Sequence, residues 1–296
     1  MIKLPSIELL SSTQWEDYEL LDSGDGLKLE RFGAYIFVRP DHQAIWKPAL
    51  SHRNWEDMDA IFQATNEESG GKWKYNRSIE SKWEMHYKSL SFLARTSNSR
   101  HLGLFPEQAP HWDWISEKVT KCSRPIHVLN LFGYTGLASL AAAEAGAHVT
   151  HVDASKKTIH YAKENQMLSG LGDKPIRWII DDAVKFVKRE SRRGVHYDGI
   201  ILDPPKFGRG PKGEVWEFFK MLPYLLREVK PVLSSKPVFV VITAYAIRAS
   251  ALSLHYSIQE MMSSFNGSLA SGELVLLEKS AGRVLSMAIY SRWSSL

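Results

Sequence analysis

The chain has 296 residues, 44% of them hydrophobic, which is enough for one large core and one smaller one, so two domains are expected. No run of about 18 apolar residues occurs, and the opening MIKLPSIELL lacks the charged-then-apolar order of a signal peptide, which predicts a soluble, cytoplasmic protein with no membrane partner. A formal net charge of +4 permits a polyanionic partner without requiring one, the single cysteine Cys122 excludes an internal disulfide and a cysteine-based zinc site, and eleven scattered histidines give no metal-binding pattern, so no metal is expected.

In chain order, the first part shows no regular alternation of strand and helix. LKLERFGAYIFVRP (27–40) and QAIWKP (43–48) predict short twisted strands, and WEDMDAIFQATNEE (55–68) has the spacing of a helix. GGKWKYNRSIESKW (70–83) interleaves Lys72, Lys74, Arg77 and Lys82 with Trp73, Tyr75 and Trp83. That mixture suits single-stranded RNA, by stacking and phosphate contact, and equally suits a half-buried strand with a charged wet face. Residues 1–120 are therefore read as a smaller, strand-rich N-terminal domain with a possible part in substrate recognition.

From about residue 125 the pattern is regular. IHVLNLF (126–132) predicts a strand, TGLASLAAAEAGA a helix ended by Gly146, and HVTHVD (148–153) a second strand. Ser155 is placed to cap the helix KKTIHYAKENQMLSGL, IRWIID (176–181) is a third strand and AVKFVKRESRR a helix. YDGIILD (197–203) is a fourth strand, EVWEFFKMLPYLLREV a helix interrupted or kinked at Pro223, VFVVITAY (238–245) a fifth strand and SALSLHYSIQEMMSSF a helix. ELVLLEKS and RVLSMAIYSRW close the chain as a strand pair whose short connection makes it antiparallel. Residues 121–296 thus predict an α/β domain with a doubly wound, mostly parallel sheet, whose ligands lie beyond the carboxyl ends of its strands.

Three features fall in order at three of those ends. Gly133 and Gly136 occupy the first turn, where glycine permits positive φ and close approach of a ligand. Asp153 ends the second strand, the position from which a carboxylate accepts from ribose hydroxyls, and Asp182 follows the third, within reach of an adenine amino group. A dinucleotide would demand Gly-x-Gly-x-x-Gly for its pyrophosphate, and this turn has Gly-x-x-Gly, which favours the phosphate-free cofactor S-adenosylmethionine over a nicotinamide or flavin.

The fourth strand ends in LDPPKFGRG (202–210). Pro204 biases Asp203 toward extended backbone, and Pro204 with Pro205 fixes two φ angles, so the Asp203 carboxylate is preorganised to orient a base amine or accept its proton. Phe207 offers a ring for the target base, while Lys206, Arg209 and Lys212 offer cations for neighbouring phosphates.

FGYTGLASL, the acid of HVDASKK, DDAVKF and LDPPKFGRG together resemble the class I S-adenosylmethionine-dependent methyltransferases, specifically a bacterial branch similar to large-subunit ribosomal RNA methyltransferases with an Asp-Pro-Pro-Lys-Phe motif. The resemblance spans roughly residues 80 to 296 and implies a Rossmann-like methyltransferase domain acting on RNA, with rRNA processing as its setting. It implies a cofactor site at Asn130, Phe132, Gly133, Tyr134, Thr135, Gly136, Asp153, Ala154, Ser155, Asn165, Asp182, Ala183 and Asp203. ARTSNSRHLGLFPEQAPHWDWI (94–115) is similar to the segment that precedes the catalytic domain in this branch, which implies that Phe105 and Gln108 approach the cofactor with His111 and Trp112 close behind; Trp112 and Trp114 fit core packing equally well.

The pattern departs from some relatives in two places. Cytosine C5 chemistry uses a cysteine nucleophile, and the stretch after the fifth strand, VVITAYAIRAS, has Ala244, Tyr245 and Ala246 with no thiol, leaving Tyr245 and Arg248 to line a substrate. Direct transfer to nitrogen is therefore expected. The first 80 residues also lack the pattern of the RNA-binding module that several relatives carry. A protein or small-molecule acceptor and a catalytically silent cofactor-binding module stay open as alternatives, as does the oligomeric state.

Overall fold

The computed structural model describes residues 4–64 and 70–296. In chain order its elements are β1 (Ile7–Leu10), β2 (Tyr18–Gly24), β3 (Leu27–Phe32), β4 (Tyr35–Pro40), α1 (His52–Glu56), β5 (Ala60–Ala64), β6 (Gly71–Tyr75), β7 (Lys82–Tyr87) and β8 (Leu90–Arg95). A 3-10 turn (Pro106–Gln108) leads to α2 (Ala109–Lys121), β9 (His127–Leu131), α3 (Leu137–Glu144), β10 (His148–Asp153), α4 (Lys156–Leu168), β11 (Ile176–Ile180) and α5 (Ala183–Arg192). Then come β12 (Gly199–Leu202), the small strands β13 (Phe207–Arg209) and β14 (Val215–Glu217), α6 (Phe218–Val229), β15 (Phe239–Tyr245), α7 (Ala251–Met261), β16 (Ser268–Leu277) and β17 (Val284–Ser294). No helix among the described residues is long and apolar enough to cross a membrane.

The larger compact unit contains residues up to Leu10, Pro110–Leu274 and Met287–Leu296. Its sheet has the order β1-β16-β17-β15-β12-β9-β10-β11, in which β9 to β12 and β15 pair in parallel and β17 runs antiparallel to β15. Residues 278–283 join β16 to its neighbour β17, a link too short for a crossover, which makes the pair a hairpin. Side-chain alternation supplies two covered faces. Leu129, Leu131, Ile200, Leu202, Val240 and Ile242 pack with residues of α5, α6 and α7, while Val128, Ile201, Phe239 and Val241 pack with residues of α2 and α3.

The chain builds outward from β9 through β10 to β11, then returns to place β12 on the other side of β9. This reversal opens a crevice at the carboxyl ends of β9 and β12. Register pairs Leu131 with both Val152 and Leu202, so Phe132, Asp153 and Asp203 follow at one level of the sheet edge.

The second compact unit, Ser11–Ala109 with Val275–Ser286, holds a five-stranded sheet in the order β2-β3-β4-β5-β6 and the β7–β8 hairpin. Its core is aromatic, with Phe37 stacked on Trp83 and edge-on to Trp73. Glu30, fully buried on β3, accepts hydrogen bonds from Tyr18 Oη (2.9 Å) and from Arg39 Nε and Nη2 (2.7 Å each).

Several elements differ from the sequence reading. The units do not divide at 120/121: β1 pairs with β16 and Trp114 of α2 packs on Phe239, so both segments belong with the large sheet, signals that only distant partners supply. QAIWKP is not a strand, because its backbone answers the β2–β3 turn instead of a ladder: Asp25 N donates to Trp46 O and Gly26 N to Ala44 O. In place of a helix over 55–68 there are α1 and the strand β5, where Ala60 and Phe62 alternate inward between β4 and β6; residues 65–68 of that segment lie outside the described residues. The helix read from EVWEFF onward begins only at Phe218, since Val215–Glu217 pairs with β13, and Pro223 lies inside it on an exposed turn. In β6 and β7, Trp73 and Trp83 are turned into the aromatic core while Lys72, Lys74 and Lys82 face outward, the half-buried strand arrangement.

Candidate active site

The turn after β9 carries unusual backbone. Phe132 (φ 60°), Tyr134 (φ 52°) and Gly136 (φ 90°) all occupy the left-handed region, which for two aromatic residues signals strain that surrounding contacts must hold. Asp153 supplies one such hold: its Oδ2 accepts from Tyr134 N (2.9 Å), and its Oδ1 accepts from Ser155 N and Thr158 Oγ1 (2.8 Å each). These donors fill three of the roughly four acceptor positions of a carboxylate and leave one on Oδ2. Burial raises the Asp153 carboxyl above its ordinary range.

Beneath the turn lies a buried polar trio. Ser139 Oγ receives Asn130 Nδ2 (2.9 Å) and meets His151 Nδ1 (2.9 Å), and the His151 ring packs on Trp178 at 4.6 Å. Burial lowers the His151 pKa to about 3, so the ring is neutral. A Cβ at Gly133 would stand 2.6 Å from His151 Nδ1 and 2.8 Å from Nε2. Positive φ explains glycine at 136, but at 133 the reason is this imidazole, which corrects the expectation that both glycines serve φ.

At the neighbouring strand end, Asp203 N donates to Leu131 O (3.3 Å), which ties the Asp-Pro-Pro corner to β9. Pro204 is buried, whereas Phe207 is 53% exposed and Lys206, Arg209 and Lys212 are exposed. The corner is clamped from outside by Trp216. Its Nε1 donates to Pro205 O at 2.6 Å, its ring lies 4.8 Å from Phe132, and it is 5% exposed. One indole thus touches both the strained turn after β9 and the Asp-Pro-Pro corner.

The other expected site residues fall into two sets. Ala154 and Ser155 form the turn after β10, where Ser155 caps α4 by accepting from Thr158 N (3.2 Å), and Asp182 caps α5 by accepting from Lys185 N (2.9 Å), with Ala183 buried behind it. Tyr245 ends β15 against Tyr290 and Leu274, and Arg248 is exposed in the loop beyond. Asn130, Thr135 and Asn165 are buried; Asn165 Nδ2 donates to Thr135 O (3.0 Å), so it holds the turn from α4. His111 and Trp112 are interior residues of α2, with His111 edge-on to Tyr290, and Trp114 also packs inward on Phe239. Phe105 and Gln108 belong to the 3-10 turn of the second unit, where Phe105 contacts His101.

Sequence reasoning missed Ser139, His151 and Trp216. His151 points down from the middle of β10 and carries no motif, but Trp216 had a signal: an indole in a loop of glycines and cations needs a hydrogen-bond acceptor when buried.

The family model described as S-adenosylmethionine-dependent methyltransferase matches residues 48–260. The crystal structure of the SAM-dependent methyltransferase from Agrobacterium tumefaciens is 48% identical and superposes with a TM-score of 0.93, covering 100% of this chain and 98% of that one. SMU.776 complexed with SAH shares the fold at 18% identity and TM-score 0.70, over 95% of this chain and 76% of that one. The ribosomal RNA large subunit methyltransferase K/L of Shewanella pealeana is 32% identical over 161 residues, 53% of this chain and 22% of its own length. The chain therefore spans about a fifth of the length of the curated relatives it matches.

Proposed function

Because the chain belongs to the S-adenosylmethionine-dependent methyltransferase family, we propose that it methylates a base of ribosomal RNA by direct transfer to a nitrogen, without a cysteine nucleophile. The observation that carries this reading is the clamped Asp203 corner, level with Phe132 across the β9–β12 crevice. The residues at the crevice suit the cofactor: Asp153 keeps an acceptor position for ribose, and Asp182, which caps α5 through Oδ1, has Oδ2 for an adenine amine. S-adenosylmethionine supplies an electrophilic methyl group on a sulfonium sulfur.

The rest is the work of this chain's own groups. Asp203 accepts a hydrogen bond from the attacking amine through a carboxylate oxygen and takes up its proton as the amine gains the methyl group. Two prolines and Trp216 keep that oxygen in one place, so orientation supplies most of the acceleration. Phe207 stacks on the base, Tyr245 lines its far side, and Lys206, Arg209, Lys212 and Arg248 take neighbouring phosphates. Nitrogen is favoured because Cys122, which precedes β9 and packs near Ile126 and Val128, lies toward the amino edge of the sheet, away from the crevice.

The test is transfer of labelled methyl from S-adenosylmethionine to the RNA, protein and small-molecule fractions of cells lacking the protein. Label with the wild type and none with Asp203→Ala, which keeps cofactor binding, supports the reading; Asp153→Ala is expected to weaken that binding. Label on the protein or metabolite fraction alone overturns the RNA assignment, and a methyl on pyrimidine carbon overturns the nitrogen chemistry.

A further inference from the structure

We propose that the outward faces of α5 and α6 form a track for the phosphate backbone of single-stranded RNA leading to the crevice; this rests on the RNA reading above. Residues 185–230 carry eleven Lys and Arg against six Asp and Glu, an excess of five where the whole chain has four. The rest of the molecule is thus about neutral. Positive charge is concentrated in the segment that also contains the Asp-Pro-Pro corner.

Helical spacing sorts these cations onto one side. On α5, Ala183, Val184, Phe186, Val187 and Glu190 are buried, and Lys185, Lys188 and Arg192 project from the opposite, exposed face. On α6, Phe218, Leu222, Leu225, Leu226 and Val229 are buried, leaving Lys220, Tyr224 and Arg227 outward. The two buried faces share one core cluster, so the outward faces lie side by side. They meet where Lys188 Nζ donates to Tyr224 Oη (2.8 Å), and Arg227 lies over the same ring at 5.8 Å.

Most acids of this segment are committed away from Lys188, Arg192 and Arg227, and Glu228 of α6 is the one that acts on the stripe, through Lys188. Glu190 is buried and accepts from Tyr197 (2.9 Å), Asp198 is buried and takes Arg124 (2.7 Å), while Glu214 and Glu217 are held by Lys185 and by Lys220 at the crevice ends of the helices. Both helices start at that edge: α5 follows β11, and α6 follows the β13–β14 hairpin that begins just beyond Asp203. From Lys185 to Arg192 the stripe extends about 10 Å away from it. Tyr224 between cations adds a stacking face, the combination expected for sequence-tolerant single-strand binding. By contrast, Trp73 and Trp83 beside the cations of β6 and β7 are committed to the core.

The experiment titrates a fluorescein-labelled, mixed-sequence single-stranded RNA oligonucleotide by anisotropy across a salt series. It compares the wild type, the triple variant Lys188→Glu/Arg192→Glu/Arg227→Glu, and Lys72→Glu/Lys74→Glu. We expect the triple variant to bind at least about tenfold more weakly, with a log–log salt slope shallower by about 2, since each lost phosphate contact removes about 0.7 for a single strand. Calorimetric binding of S-adenosylhomocysteine should be unchanged, and the β6 variant should bind like the wild type. Equal affinity and slope in the triple variant and wild type overturn the track alone. A wild type that binds no RNA at low salt overturns the RNA reading itself, and with it the track.

Discussion

Gly133→Ala tests how the turn after β9, the proposed cofactor turn, is built. The substitution is conformationally allowed, because Gly133 does not sit at positive φ, so its whole effect is steric. The new methyl would lie closest to His151 Cε1, and 2.6 Å from Nδ1 and 2.8 Å from Nε2, where ordinary contact needs about 3.4 Å or more, so ring or turn must move by about an ångström. The ring is fixed by Ser139 at 2.9 Å and by Trp178, so the displacement falls on Phe132 and Tyr134, which are already strained. Overpacking of this kind costs about 1–3 kcal/mol, and a shift of that size in a binding turn weakens the ligand by ~10- to 100-fold. Calorimetry with S-adenosylhomocysteine and urea midpoints would measure both. The decisive control is the cycle with His151→Ala: if the imidazole is the obstacle, Gly133→Ala is nearly neutral for binding in the His151→Ala background. Independent, additive losses would show that Gly133 is required for another reason.

Trp216→Phe keeps a ring against Phe132 but deletes the bond to Pro205 O; it should cost about 2 kcal/mol of stability and lower turnover on the identified acceptor at least about tenfold, with S-adenosylhomocysteine affinity within about threefold of wild type. Parallel loss of binding and turnover would contradict the division between corner and turn. Glu30→Gln leaves Arg39 buried without its anion and should cost about 3–5 kcal/mol by urea unfolding, whereas Glu30→Leu/Arg39→Met should recover most of it. Part of the pH dependence follows from His151, whose folded pKa of about 3 lies below the ordinary 6.5, with buried His101 and His111 shifted in the same direction. The unfolded chain then binds a proton that the folded one does not, so the stabilising share of neutral His151 is intact above pH 6.5 and is lost as pH falls toward 3. The slope should approach about 1.4 kcal/mol per pH unit for this group, and His151→Gln should remove that share from urea midpoints measured between about pH 7 and 5.

What the sequence disclosed is what local physics writes into it. Strand and helix periods gave β9 to β12, β15 and the helices between them, because each apolar run there is buried on both faces or along one stripe. Ser155 was legible as a cap since the capping bond is made within three residues, whereas the same bond at Asp182, read as a cofactor residue, emerges only in the structure. β1 was not, because its partner β16 lies at the other end of the chain and no local pattern marks an exposed edge strand. The β5 segment misled for a related reason: AIFQA satisfies either period, and only pairing with β4 and β6 decides.

The candidate site shows the same division more sharply. Asp153 and Asp203 stand at strand ends, where position alone suggests a ligand. What holds them is less visible: an imidazole under Gly133, an amide from α4 to Thr135 O, and an indole from a hairpin beyond the second proline. All three are buried, and each fixes the backbone of the turn or the corner. The strain at Phe132 and Tyr134 can persist only because these groups over-determine the turn, and removing any one should let the turn relax toward ordinary φ. The residues that make the site work are therefore partly interior ones, chosen for shape and hydrogen bonding, and a glycine that reads as an invitation to a ligand is the space required by a histidine below it.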